Sequence, residues 1–299
     1  MIKLALTDLD DTLIKNGMPR ASDHALAGIH AMLDAGLHFG PVSGRIPRAM
    51  GWMFDNDEAC YATAALSNGQ MIYLDGELVH VEMLDGYELN RIAEVLSHIP
   101  QAVLAMYDVD APEEDEAGYF VSPDPEHLAG AQQVFRHIKR SASRLTEPTY
   151  VKANIWCAGS REHITEVRDM LRAEFPSMDF VFPSPTAPLI DISPAGWSKG
   201  TAVRYLADAL GIGLDEVATF GDSENDLSMI EAVPNSVAVS NAAPEVTRAA
   251  RWHIGASADD AVADALAQIA DAAATASMPA FMTQEANPVG VGDLIGGAD

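Results

Sequence analysis

Cysteine is almost absent from this sequence: Cys60 and Cys157 are the only two in 299 residues, and they form no C-x-x-C pair. Spacing of that kind gives neither a disulfide framework nor a thiolate zinc site, and a reducing cytoplasm suits it best. Positive charge is scarce as well, with 18 Lys and Arg against 44 Asp and Glu and a formal charge of -26. Such a surface repels nucleic acid and anionic lipid, so neither is expected as a partner. A small phosphate ester is not excluded, because salt screens surface charge over about 8 Å and the field inside a pocket decides. Long apolar runs are missing too. None approaches the ~20 residues that cross a bilayer, and Asp8, Asp10 and Asp11 interrupt the segment 1–13 where an export signal would need hydrophobic residues. The nine histidines show no HExxH or paired spacing.

What the sequence does hold is enough apolar material for two cores: 48% of its residues are hydrophobic, and single cores stop growing at roughly 250 to 300 residues. Residues 2–7 form a short apolar run that opens into Thr7-Asp8-Leu9-Asp10-Asp11-Thr12, the pattern of a buried parallel strand with an acidic loop at its carboxyl end. Ser22 then precedes Ala25, Leu26, Ile29, Met32 and Leu33 at helical spacing, and Gly36 ends that helix. Two more strands follow, at 37–42 running into Ser43-Gly44-Arg45 and at 64–66 running into Ser67-Asn68-Gly69. Asp75-Gly76 between apolar runs signals a hairpin, where the parallel pattern breaks.

From about 84 to 188 the order suits an antiparallel sheet with helices on one face, and it includes an acidic loop at 108–116. Alternation resumes with the strand Leu189-Ile190-Asp191-Ile192-Ser193, a helix at 199–210, strands at 216–220 and 236–239, and helices at 226–232, near Glu245 and at 260–274. The expected architecture is therefore an α/β protein. A doubly wound parallel-sheet core takes residues 1–83 and 189–276, an inserted α+β domain takes 84–188, and a flexible tail takes 277–299. No apolar stripe stands apart from the core pattern, so the sequence carries no oligomer signal.

Ligands of open parallel sheets bind beyond the carboxyl ends of the strands. Four polar clusters fall there: Asp8 to Thr12, Ser43-Gly44-Arg45, Ser198-Lys199-Gly200, and Gly221-Asp222-Ser223-Glu224-Asn225-Asp226. Each alone could be a turn or a helix cap. Lys199 departs from that reading most, since a cation at the positive end of a helix asks for a nearby anion.

In order and context these clusters resemble the four motifs of the haloacid dehalogenase (HAD) superfamily, and the Pro-Val-Ser-Gly-Arg, Ser-Asn-Gly and Gly-Asp-Ser-Glu-Asn-Asp forms look like its Cof-like group. The resemblance covers about residues 1–275. It implies a HAD core with an inserted cap and a phosphatase that acts on a small phosphate monoester, a sugar phosphate above all, through an aspartyl-phosphate on Asp8. By the same resemblance Asp10 is the general acid and base, which asks its carboxyl to hold a proton near neutral pH. Mg²⁺ is the implied cofactor, with Asp8, the Asp10 carbonyl and Asp222 as ligands and Asp226 holding a metal-bound water. Thr12, Ser43, Lys199 and Asn225 are implied phosphate binders or loop supports. Arg45 and Asn68 are explained equally by a surface ion pair and an Asn-Gly turn, and they stand with Asn154 as possible substrate contacts. Phosphomutase chemistry and a non-catalytic metabolite sensor are the alternatives that the same motifs leave open.

Overall fold

The computed structural model describes residues 1–109, 111 and 117–283. Most of the expected acidic loop, at 110 and 112–116, and the tail from 284 onward lie outside the described residues. The chain begins with β1 (Leu4–Thr7), α1 (Asp23–Asp34), β2 (His38–Pro41), α2 (Arg48–Met53), β3 (Ala64–Leu66), β4 (Met71–Leu74) and β5 (Glu77–Val81). Next come β6 (Leu84–Asp85), α3 (Gly86–Leu96), β7 (Ala102–Tyr107), β8 (Gly118–Val121), α4 (Pro125–Val134), β9 (Arg140–Ala142), β10 (Thr149–Tyr150), β11 (Lys152–Cys157), α5 (Arg161–Glu174), β12 (Met178–Val181) and β13 (Leu189–Pro194). The last stretch holds α6 (Lys199–Ala209), β14 (Val217–Gly221), α7 (Leu227–Ile230), β15 (Asn235–Ala238), α8 (Pro244–Ala249), β16 (Trp252–His253) and α9 (Ala261–Ala273).

A five-stranded sheet in the order β16-β15-β14-β1-β2 is parallel throughout. The chain leaves β1 toward β2 on one side and returns to β14 on the other, which opens a crevice between β1 and β14. Side chains of β1 alternate between two apolar clusters. Ala5 joins Ile29, Phe39, Val262 and Leu266 beneath α1 and α9, while Leu4 and Leu6 join Val203, Leu206 and Met229 beneath α6 and α7. Burial on both faces is why the strand reads as an unbroken apolar run rather than an alternating one. Helix α1 starts as its sequence asks, with Ser22 Oγ accepting from the Ala25 amide.

Two strands differ from expectation. β3 meets the parallel sheet through an isolated parallel bridge, Val42 to Ala65, and pairs antiparallel with β4, which pairs with β5 across the expected Asp75-Gly76 turn. β13, expected to resume the parallel alternation, lies antiparallel between β11 and β12 in a six-stranded sheet ordered β12-β13-β11-β7-β8-β9. The physical reason is its own pattern: Ile190 and Ile192 face the apolar cluster of this second sheet, while Asp191 and Ser193 point the other way. Both faces of that sheet meet helices, where one was expected. Leu104, Ala153 and Ile155 pack with residues of α3 and α5, and Val103, Ala105 and Phe120 pack with Ala131 of α4. No described helix is long and apolar enough to cross a membrane.

Candidate active site

The crevice between β1 and β14 is lined by residues that leave adjacent parallel strands together. Thr7 is in register with Phe220, and the Asp8 amide donates to the Phe220 carbonyl at 2.9 Å, so Asp8 and Asp222 emerge side by side. After Asp8 the chain folds back sharply, with the Ile14 amide on the Leu9 carbonyl and the Asp11 amide on the Ile14 carbonyl. Asp11 supplies the left-handed residue of this turn at φ 63°. The turn carries Thr12 inward, where its hydroxyl donates to Asp222 Oδ1 at 3.0 Å, and Ser223 Oγ donates to Asp222 Oδ2 at 2.8 Å. Two hydroxyls thus fix the Asp222 carboxylate, and Thr12 points its proton there rather than toward a phosphate.

Lys199 reaches this cluster because α6 begins beside it. Ser198 caps the helix through the Thr201 amide, and Gly200 lets it close in: a Cβ at that position would stand 2.1 Å from the Ser228 carbonyl oxygen. The ammonium of Lys199 lies 2.5 Å from Asp8 Oδ1 and 2.6 Å from Asp226 Oδ1. The other oxygen of Asp226 accepts from the amides of Asp222 and Ser223 at 2.9 and 3.0 Å, holding the loop closed. Glycine at 221 leaves room for that contact, since a Cβ there would meet Asp226 Cβ at 2.6 Å.

Charge inside this site does not balance. One ligand-capable oxygen from each of Asp8, Asp222 and Asp226 lies within 4.8 Å of the others, all three residues are buried, and Lys199 touches two of them, Asp8 and Asp226. Burial raises the Asp8 carboxyl well above its ordinary value; Lys199 opposes this, and the carboxylates of Asp226, Asp222 and Asp10 reinforce it. Burial, followed by Asp226, likewise pushes Asp222 up to about 7. Burial alone would lower the Lys199 value, but Asp226 and Asp8 outweigh it and keep the ammonium charged. With all three carboxyls ionised, one ammonium leaves two negative charges, which a divalent ion would neutralise. An all-oxygen donor set suits a hard ion such as Mg²⁺. Asp8 and Asp222 could hold it: each Asp222 oxygen accepts a single hydroxyl, whereas Asp226 Oδ2 already accepts from two backbone amides and Oδ1 meets Lys199.

Other expected residues stand around this centre. Ser43 is buried just past β2, its amide on the Ala65 carbonyl, and its hydroxyl oxygen accepts from the Arg45 amide at 3.2 Å. Asp10 differs from the desolvated carboxyl that the resemblance implied. Its side chain is 53% exposed and gripped bidentately by Arg45, Nε to Oδ2 at 2.9 Å and Nη2 to Oδ1 at 2.7 Å. Asn68 is more than a turn residue. With Ser67 it takes left-handed φ values of 53° and 58°, and its amide nitrogen donates to Asp191 Oδ2 at 2.6 Å while its oxygen accepts from Asn225 Nδ2 at 3.4 Å.

Asp191 is the residue that sequence reasoning missed. On β13 it accepts from Asn68, from Lys152 Nζ at 3.0 Å and from Asn154 Nδ2, and all four side chains are buried. Lys152 and Asn154 share one face of β11 by the two-residue period of a strand. A carboxylate, an ammonium and an amide at alternating positions of otherwise apolar strands was the available signal. Glu224, also missed, accepts from Arg168 at 3.2 Å and Arg172 at 3.3 Å, pinning the Asp222 loop to α5.

A profile described as haloacid dehalogenase-like hydrolase matches residues 5–266. The HMP-PP phosphatase of Enterobacter sp. strain 638 is 26% identical over 259 residues, covering 82% of this chain and 87% of its own. Among solved structures, SMU.1108c from Streptococcus mutans superposes with a TM-score of 0.75 at 18% identity, over 89% of this chain and 98% of that one. The HAD subclass IIB sugar phosphatase BT4131 superposes with a TM-score of 0.68 at 18% identity, over 88% and 97%. At these identities the structural likeness carries the fold.

Proposed function

The chain belongs to the haloacid dehalogenase-like hydrolase family and is a phosphatase, and from that premise we propose that it hydrolyses a small phosphate monoester through an aspartyl-phosphate on Asp8, with Mg²⁺ as cofactor. The observation that carries this reading is Lys199 Nζ at 2.5 Å from Asp8 Oδ1, in a buried cluster whose other members are carboxylates. An ammonium there holds one Asp8 oxygen and leaves the other to face the incoming phosphorus.

In the first step an Asp8 oxygen attacks phosphorus, the bond from phosphorus to the leaving-group oxygen breaks, and Asp10 gives the leaving-group oxygen a proton. In the second, Asp10 takes a proton from water as the water oxygen attacks the aspartyl-phosphate, which releases inorganic phosphate and restores Asp8. Asp10 must exchange its hold on Arg45 for these duties. Ser43, whose oxygen already accepts from the Arg45 amide, directs its proton to a phosphate oxygen, and Lys199 offsets phosphate charge. Asp8 and Asp222 would hold Mg²⁺, which when bound would supply positive charge to offset that of the phosphate. Thr12 acts by orienting Asp222.

The parallel-sheet stretches serve as the core and the six-stranded sheet as a cap over it, with the border after Pro194 rather than before Leu189. On this reading Asp191, Lys152, Asn154 and Asn68 form the polar wall that meets the leaving group. A carboxylate acceptor beside ammonium and amide donors suits an alcohol rich in hydroxyls, which supports a sugar phosphate. Two buried free thiols, Cys60 and Cys157, suit the cytoplasm.

The deciding experiment runs a panel of phosphate esters with Mg²⁺, using the Asp8→Asn chain as the blank. Release of inorganic phosphate by the parent alone supports hydrolysis. An isomerised sugar phosphate would make the protein a mutase, and tight binding without turnover a sensor; full activity in Asp8→Asn would remove the nucleophile.

A further inference from the structure

Away from the carboxylate crevice, three donor atoms of three different kinds converge. His30 lies on α1, and Asp57 and Cys60 lie at the two ends of the short turn Glu58–Cys60 that follows α2. His30 Nε2 stands 2.6 Å from Asp57 Oδ2, and one ligand-capable atom from each of the three residues lies within 4.8 Å of the others. Their surroundings are graded: Cys60 is fully buried in the core beneath α1, whereas the side chains of His30 and Asp57 are 45% and 32% exposed, so an ion can enter from solvent. The turn is held in place by Asp55 and Asn56, both left-handed at φ 56° and 61°, and by the Asn56 amide on the Gly51 carbonyl at 2.6 Å.

We propose that His30, Asp57 and Cys60 form a second cation site, which takes a borderline transition ion such as Zn²⁺ through one imidazole nitrogen, one carboxylate oxygen and one thiolate sulfur and leaves the fourth position to water. The donor chemistry selects the ion. Sulfur and imidazole disfavour Mg²⁺ and suit Zn²⁺ or Co²⁺, so this site and the all-oxygen crevice sort different metals. Without an ion the Cys60 thiol stays protonated, since burial and then the Asp57 carboxylate push it up to about 12. Metal binding therefore forms one metal–sulfur bond and releases the thiol proton to solvent. Bound there, the ion ties α1 to the turn after α2. Spacing in the sequence hides such a site, because only Asp57 and Cys60 are near neighbours and His30 lies 27 residues before Asp57, so no paired motif marks it.

The plain alternative is a His–Asp ion pair beside a buried thiol, and Co²⁺ separates the two. The full chain, reduced and stripped with chelator, is titrated with Co²⁺ while the near-ultraviolet thiolate-to-cobalt band is followed. The oxygen-only crevice is invisible to this readout. One equivalent should saturate the band, Zn²⁺ should displace it, Cys60→Ala should abolish it and Cys157→Ala should keep it. Loss of even an outer-shell partner costs about 10- to 100-fold in metal affinity, so His30→Ala and Asp57→Ala should each weaken binding by at least that range. Absence of the band in the parent, or its survival in Cys60→Ala, overturns the site. Should Cys60→Ala fail to fold, the half-exposed His30→Ala decides: unchanged Co²⁺ affinity overturns it equally.

Discussion

Lys199 and Asp226 form an ion pair closed to solvent, Nζ to Oδ1 at 2.6 Å, with both side chains 0% exposed. Removing one member of a buried pair leaves an uncompensated charge and costs about 3–5 kcal/mol. Lys199→Met should lose stability in that range in the presence of chelator, measured by denaturant unfolding, and should recover part of it with Mg²⁺. Turnover should fall at least about 100-fold, the scale of one lost transition-state donor. Asp226→Asn should be milder than Asp226→Ala, because an amide oxygen can still accept from the Asp222 and Ser223 amides.

Asp8→Asn should reduce phosphate release to the rate seen without protein and should not lower stability in chelator. The raised Asp8 value means that the site already favours a neutral group at this position. A large loss of unfolding free energy in this variant would contradict the crowded-carboxylate account of the crevice.

The pH dependence follows from Asp222, whose carboxyl is pushed from 3.8 up to about 7 by burial and by Asp226. Between those values the folded protein holds a proton that the unfolded chain has released, so stability in chelator declines as pH rises from about 4 to 7. A bound cation replaces that proton. Mg²⁺ should therefore raise the melting temperature more at pH 8 than at pH 5, and equal gains at both would count against Asp222 as a ligand.

Asp191→Asn tests the polar wall. Hydrogen bonds to charged groups contribute about 1.5–3 kcal/mol, so kcat/KM for a sugar phosphate should fall by about 10- to 100-fold. p-Nitrophenyl phosphate, whose leaving group has no hydroxyls to recognise, should change by no more than about twofold if the fold is kept. An equal loss on both substrates would assign Asp191 to support of the core through Asn68 rather than to the leaving group.

Sequence alone determined the parts of this protein that local chemistry encodes. The apolar run ending at Asp8, the Ser22 cap, the Asp75-Gly76 hairpin and the clusters around Ser43, Lys199 and Asp222 all follow from periodicity, capping and turn preference, which act over a few residues. Tertiary structure decided what depends on partners far along the chain. β13 reads as a core strand until β11 and β12 claim its edges, and Asp191 gains meaning only when Asn68, 123 residues away, reaches it. Asp10 likewise owes its present direction to Arg45, 35 residues on. Backbone propensity sets which elements form, but long-range pairing sets which charges meet, and it is the meeting of charges that makes the site.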